Sequence, residues 1–391
     1  MRPSVPRRRG LAAVAASLVA LCAGQTLSAL PATAAPKAPA PASAVVAAED
    51  HAAQAIAGSL TDSAWRARVR SAALTSDEVT VTPLAGKAGG SLMSTLAAAD
   101  RRIAAAKGLH SGVGSLLRLR LGDSSMRAAL AAGVTPWVAA ATADDDAATV
   151  TAYDSRGRAH TIDARKVPSH PVYVVDIDGA KALSAGLGVL NEELTRYGVA
   201  SAASAPQQAP TAAPQQAPTA APRAQAATGG FWTTRITSVR LADDEEPWIK
   251  GDAEIYTLVT GFGQDGTARV DPVDMPYLDN DNTTYYPNQI LVNWSNYKYN
   301  LADAVMMEDD GSTNYRDLAK AIATALLTIT DQGTYIPLVN AVLDAMPNDW
   351  WTDDPDYVDS WYTLAQSDNG TRYGARGNGW MTVQPYFVQE F

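Results

Sequence analysis

The sequence predicts an α+β protein in two globular parts: an N-terminal α+β domain with a small antiparallel sheet, and a C-terminal β-sandwich with a helical insertion. Three observations carry that expectation. Helix-spaced apolar residues run from Val45 to Lys107, short strand-like runs dominate the chain after residue 230, and a tandem proline-rich repeat lies between the two parts. At 391 residues the chain is also longer than one ordinary domain.

Residues 1–34 read as a signal peptide. Arg7, Arg8 and Arg9 form a basic start, Leu11 to Cys22 an apolar segment, and Ala32-Thr33-Ala34 a small-x-small cleavage site. The apolar segment is shorter than the ~20 residues a membrane crossing needs, and no later segment reaches that length. A secreted, extracellular protein is expected. Cys22 is the sole cysteine, so the mature chain folds without disulfides.

Residues 35–44 alternate Ala and Pro and read as a disordered spacer. The N-terminal domain is expected over 45–200. Ala48, Ala52, Ile56 and Leu60 share one helix face, and Thr61 or Asp62 caps a further turn carrying Trp65 and Val69. A second helix spans Ser91 to Lys107 and stops at Gly108. Leu117-Arg118-Leu119-Arg120-Leu121 alternates as a strand with one polar face. Strands follow at Thr135 to Ala141, Ala148 to Tyr153, around His160 to Asp163, and Pro171 to Ile177.

Residues 201–228 form the Pro/Gln/Ala linker. The octet Ala-Pro-Gln-Gln-Ala-Pro-Thr-Ala occurs at 205–212 and again at 213–220, and its regular prolines favour an extended, semi-rigid spacer. Residues 229–391 make the acidic sandwich domain. Strand patterns lie at Thr234 to Leu241, Ala253 to Thr260, Gln289 to Trp294, Ala302 to Met307, Tyr357 to Leu364 and Gly379 to Val388. A helix at Asn314 to Thr328 interrupts them, and a shorter one covers Pro337 to Asp344.

Charge divides sharply. From residue 231 onward there are 9 Lys and Arg against 25 Asp and Glu, a net of −16, within a chain of net charge −10. Such a surface repels nucleic acid, which is excluded as the main partner.

The acidic residues gather in loops between strand patterns. Asp243 to Glu246, then Asp252 and Glu254, precede one strand; Asp279 and Asp281 follow in a neighbouring loop; Glu308, Asp309 and Asp310, then Asp317, close the set. Grouped carboxylates repel one another unless a cation sits among them, and calcium takes six to eight oxygen ligands from such loops. The expected metal ligands are Asp244, Asp252, Glu308, Asp310 and Asp317. Their spacing resembles that of the membrane-binding C2 sandwich, with Glu308 replacing an Asp and the helix after Asp317 departing from that pattern. The alternative is that the loops only solubilise the protein.

Catalytic signatures are sparse. His51, His110, His160 and His170 all lie before residue 231, so the acidic domain cannot build a Ser-His-Asp device of its own, and neither HExxH nor GxSxG occurs. His160 and His170 stand near Asp163 and Asp176 in sequence, where strand-edge packing is the simpler reading. A hydrolase using paired carboxylates, with Trp350, Trp351 or Trp361 lining its cleft, stays open as the alternative function.

Several segments together resemble an uncharacterised family of secreted bacterial proteins, a domain of unknown function. They are Glu245 to Tyr256, Asp274 to Asp279, Tyr286 to Ile290, Met307 to Tyr315 and Asp356 to Asp359, joined by Leu117 to Leu121 and Ala152 to Gly157 in the first part. The resemblance implies the two-part layout and no mechanism. The expected function is therefore a secreted calcium-dependent binding protein whose ligand is an anionic lipid surface or a glycan.

Overall fold

The structure, a computed structural model, describes residues 43–86, 90–141, 147–199, 201, 229–243, 249–251, 253–309, 311, 313–346 and 357–389. The expected signal peptide, nearly all of the 35–44 and 201–228 segments, and Trp350 and Trp351 lie outside the described residues.

The early helices form where apolar spacing placed them. Helix α1 (Ala44–Ser59) starts on Ser43, whose hydroxyl accepts the Val46 N–H at 3.2 Å, and buries Ala48, Ala52 and Ile56. Helix α2 (Ser63–Thr75) is capped by Asp62, which accepts the Trp65 N–H at 2.9 Å. Strand β1 (Glu78–Thr80) and the short α3 (Val81–Gly86) lead to α4 (Ser91–Ala106), which buries Leu96 and Ile103. The buried Asp100 of α4 accepts the N–H groups of Leu116 and Leu117, both at 2.8 Å, and so pins the start of β2 (Leu117–Leu121) to that helix.

After α5 (Arg127–Ala131) come β3 (Trp137–Ala140), β4 (Thr149–Tyr153), β5 (Ala159–Asp163) and β6 (Val172–Ile177), then α6 (Gly179–Tyr197). The six strands form one sheet in the order β1-β2-β6-β3-β4-β5. All pairs are antiparallel except β3 with β6, which is parallel. The period of two divides side chains cleanly. Leu117, Leu119, Tyr173 and Val175 join the cluster that contains α1 and α4, while Val172 and Val174 face the other side, where Ile249 packs.

The second half holds β7 (Gly230–Leu241), β8 (Ile255–Phe262), β9 (Ala268–Asp274), β10 (Gln289–Asn293), β11 (Leu301–Glu308), α7 (Tyr315–Leu326), α8 (Val339–Ala345), β12 (Tyr357–Ala365), β13 (Gly370–Tyr373) and β14 (Gly379–Gln389). Two four-stranded antiparallel sheets result, in the orders β10-β7-β14-β13 and β12-β11-β8-β9. Ile236, Val239, Met381 and Val383 of the first share an apolar layer with Ile255, Val259, Ala304 and Met306 of the second. The opposite face of the second sheet, including Tyr256, Leu258 and Val305, packs into the same cluster as α6 and α7. All eight residues of β8 are buried for this reason, since both its faces are covered.

The two halves share that cluster, and the described residues belong to one compact unit. Helix α6 meets α7 closely: a Cβ added at Gly186 would lie 2.1 Å from the Tyr315 ring. Polar contacts follow the same seam. Asn314 Nδ2 donates to the Ala106 carbonyl at 2.6 Å, Arg316 Nε donates to the Gly108 carbonyl at 2.8 Å, and Arg316 pairs with Glu193. Among the described residues no helix is long and apolar enough to cross a membrane.

Candidate functional site

The alternating β2 sequence places Arg118 and Arg120 on one face of the first sheet, and the antiparallel neighbour β6 brings Asp176 opposite Arg118. Just beyond β6, Asp178 caps α6 and accepts the Lys181 N–H at 3.2 Å. Arg118 pairs with Asp178 and also lies 3.9 Å from Glu78 of β1. Arg120 Nε lies 3.7 Å from Asp176 Oδ2, and its terminal nitrogen donates to the Ile249 carbonyl at 2.6 Å. The Arg120 hydrogen bond thus holds Ile249 of the second half against the first.

A cleft opens at this junction. Glu78, Asp176, Asp178, Lys250, Glu254 and Asp279 supply its charged lining, with Gly179, Gly251 and Pro276 among its other walls. Glu254 reaches the first turn of α6, where only a glycine fits: a Cβ at Gly179 would stand 1.8 Å from Glu254 Oε1. The positive end of the helix favours a carboxylate there. Asp279 Oδ1 accepts the Tyr285 hydroxyl at 2.7 Å.

Burial pushes the Asp176 carboxyl up to about 7, against the opposing pull of the Arg120 guanidinium. Asp176 and Asp178 stand two residues apart in one lining, each held by an arginine and a backbone amide: Asp176 by Arg120 and by the Ile177 N–H at 2.8 Å, Asp178 by Arg118 and the Lys181 N–H.

The residues predicted from sequence separate into three groups. Asp244, Asp252 and Asp310 lie outside the described residues. Glu308 is buried at the end of β11, opposite Ile255, and Asp309 beside it donates its N–H to the Glu254 carbonyl at 3.1 Å. The Asp309 carboxylate accepts from Lys107 Nζ at 2.9 Å and from the Tyr315 hydroxyl at 2.5 Å, so a lysine of the first half balances its charge. Asp317 is exposed on the first turn of α7, a position that favours a negative charge whatever its function. Asp281 is exposed, whereas Asp279 lines the cleft. Among the described residues no group of three His, Cys, Asp or Glu side chains is arranged to hold a metal ion.

Glu78, Asp176, Asp178 and Glu254 were not singled out as ligands by sequence. The available signal was the pair of arginines on one face of β2, which require carboxylates on the strand beside them. The histidines also sit differently from the sequence pairing. His160 Nε2 lies 3.2 Å from Asp154 rather than beside Asp163, and Trp137 stacks between His160 and His170 at centroid distances of 4.3 Å each. Trp361 is buried in the apolar layer of the second half, its indole N–H donating to the Arg372 carbonyl at 3.2 Å.

No curated protein and no solved structure matches this chain. A family model does, over residues 58–391, so the shared seam and the cleft both fall within the matched region. The chain belongs to the family described as "Protein of unknown function (DUF3103)".

Proposed function

We propose that this is a secreted calcium-dependent binding protein, with the cleft between the two halves as its cation site. The observation that carries the reading is that carboxylates from separate segments line one cleft, Glu78, Asp176 and Asp178 from the first half and Glu254 and Asp279 from the second; no three of them stand at ligand spacing, so a bound cation would draw them together. Arg118 and Arg120 balance Asp178, Glu78 and Asp176, while Glu254 and Asp279 add negative charge to the same lining. Hard oxygen donors drawn from several loops suit calcium better than zinc, which prefers nitrogen and sulfur. A bound cation would join the halves and present positive charge to an anionic lipid headgroup or glycan. Calorimetric titration tests this. Calcium should bind the mature chain, and the paired substitutions Glu254→Gln and Asp279→Asn should weaken binding at least tenfold. Equal affinity in wild type and double variant would remove the assignment.

One observation favours a second reading. A carboxyl raised to about 7 beside further carboxylates suits acid–base work at neutral pH, as in a polymer hydrolase with paired carboxylates. In that case Asp176 would act as the acid and Asp178 or Glu254 as the base. Loss of hydrolysis in Asp176→Asn, at unchanged calcium affinity, would select this reading.

A further inference from the structure

The acidic half carries one sheet face that breaks its own charge pattern. In the β10-β7-β14-β13 sheet, Ile236, Val239, Met381 and Val383 point into the core, so the alternate positions point outward. Those outward positions are Arg235, Ser238 and Arg240 on β7, Trp380, Thr382, Gln384 and Tyr386 on β14, and Thr371 and Tyr373 on β13. None is a carboxylate, in a region with 25 acidic residues against 9 basic ones. All are at least partly exposed, Tyr373 to 77 % and Tyr386 to 40 %.

Arg235 and Tyr386 form a fixed pair on this face: the guanidinium lies 4.2 Å from the ring centroid, with its Nε enclosed. Arg240 is opposite Trp380, which is opposite Tyr373, so an arginine and two aromatic residues form a row across three strands. Gln384 is opposite Arg235, and between the rows of the two arginines lie Ser238, Thr382 and Thr371, the hydroxyls of Thr371 and Thr382 being 3.1 Å apart. From Trp380 to Tyr386 the strand spans roughly 20 Å.

We propose that this face binds an acidic polysaccharide. Aromatic residues at both ends offer stacking surfaces, the hydroxyl and amide groups between them match a hydroxyl-rich chain, and two guanidinium groups match sparse carboxylate or sulfate charges. Charge complementarity selects the class. A nucleic acid carries a charge on every residue and is repelled by the surrounding acidic surface, whereas a sparsely charged glycan meets the two arginines alone. The site is separate from the interdomain cleft and requires no cation.

The test is affinity electrophoresis of residues 35–391 in native gels containing sparsely substituted carboxymethyl dextran, unmodified dextran or neither, with chelator present throughout. Retardation by carboxymethyl dextran and not by dextran is expected. Arg235→Gln and Tyr386→Ala should each weaken it about tenfold, while their melting temperatures stay at the wild-type value. Glu254→Gln should not change it, which separates this site from the cleft. Absence of retardation, equal retardation by dextran, or tighter binding to an oligo-dT strand would overturn the proposal.

Discussion

Lys107 Nζ lies 2.9 Å from Asp309 Oδ1, with the two side chains 0 % and 1 % exposed. The lysine ends α4 in the first half and the aspartate follows β11 in the second, so this pair joins the halves inside their common core. Tyr315 completes it: its hydroxyl donates to Asp309 and its backbone N–H to the Lys107 carbonyl at 3.1 Å. Because the Asp309 N–H also holds the Glu254 carbonyl, the buried pair positions one wall of the cleft.

Breaking that pair should be costly. Lys107→Met leaves a carboxylate buried without its cation, for an expected loss of about 3–5 kcal/mol in urea unfolding. Adding Asp309→Asn to Lys107→Met removes the stranded charge and should recover part of the loss. A double variant no more stable than the single one would show that the charge is not what the lysine balances.

Two glycines of α6 make a matched comparison. A Cβ at Gly186 would meet the Tyr315 ring at 2.1 Å, whereas nothing lies within 4 Å of a Cβ at Gly188. Gly186→Ala should lower stability by about 1–3 kcal/mol through overpacking. Gly188→Ala should raise it by about 0.5–1 kcal/mol, because alanine loses less backbone entropy in a helix. Urea unfolding of both variants checks the close approach of α6 and α7.

Asp176 predicts a pH dependence with a definite sign. Its folded pKa of about 7 lies above the ordinary value of 3.8, so the folded state holds the proton more tightly than the unfolded state. Ionising it therefore costs stability, a cost absent below about pH 4 and fully present above about pH 7. Between pH 5 and 8, Asp176→Asn should gain on the wild type by roughly 1–3 kcal/mol in chemical unfolding. A constant difference across that range would contradict the burial of this carboxyl.

Much of the fold was legible because local rules and tertiary packing agree. The Asp62 cap, the alternation of Leu117 to Leu121 and the apolar face of α7 each specify their element without distant partners. Other elements were hidden for physical reasons. Helix α6 carries Gly179, Gly186 and Gly188, which lower helix propensity; two of them are there because Glu254 and Tyr315 occupy the space of a side chain. Strand β9 contains Pro272, tolerated because β9 is an edge strand with β8 as its one partner. The site was legible in part. Gly251, Ala253, Glu254 and Asp279 do line a cleft, but its other carboxylates come from the first half, beyond the reach of loop spacing. Asp309 read as part of an acidic loop beside the expected ligands Glu308 and Asp310, because no local pattern reveals that Lys107, 202 residues earlier, meets it.

The most direct test of the calcium reading is the melting temperature of residues 35–391 in calcium, in magnesium and in chelator. Ligand at 100 times its dissociation constant adds about 2.7 kcal/mol, which raises the melting temperature by several degrees in a protein of this size. The account predicts that rise with calcium alone, and its loss in the variant carrying Glu254→Gln and Asp279→Asn. A melting temperature indifferent to calcium at millimolar concentration would contradict it.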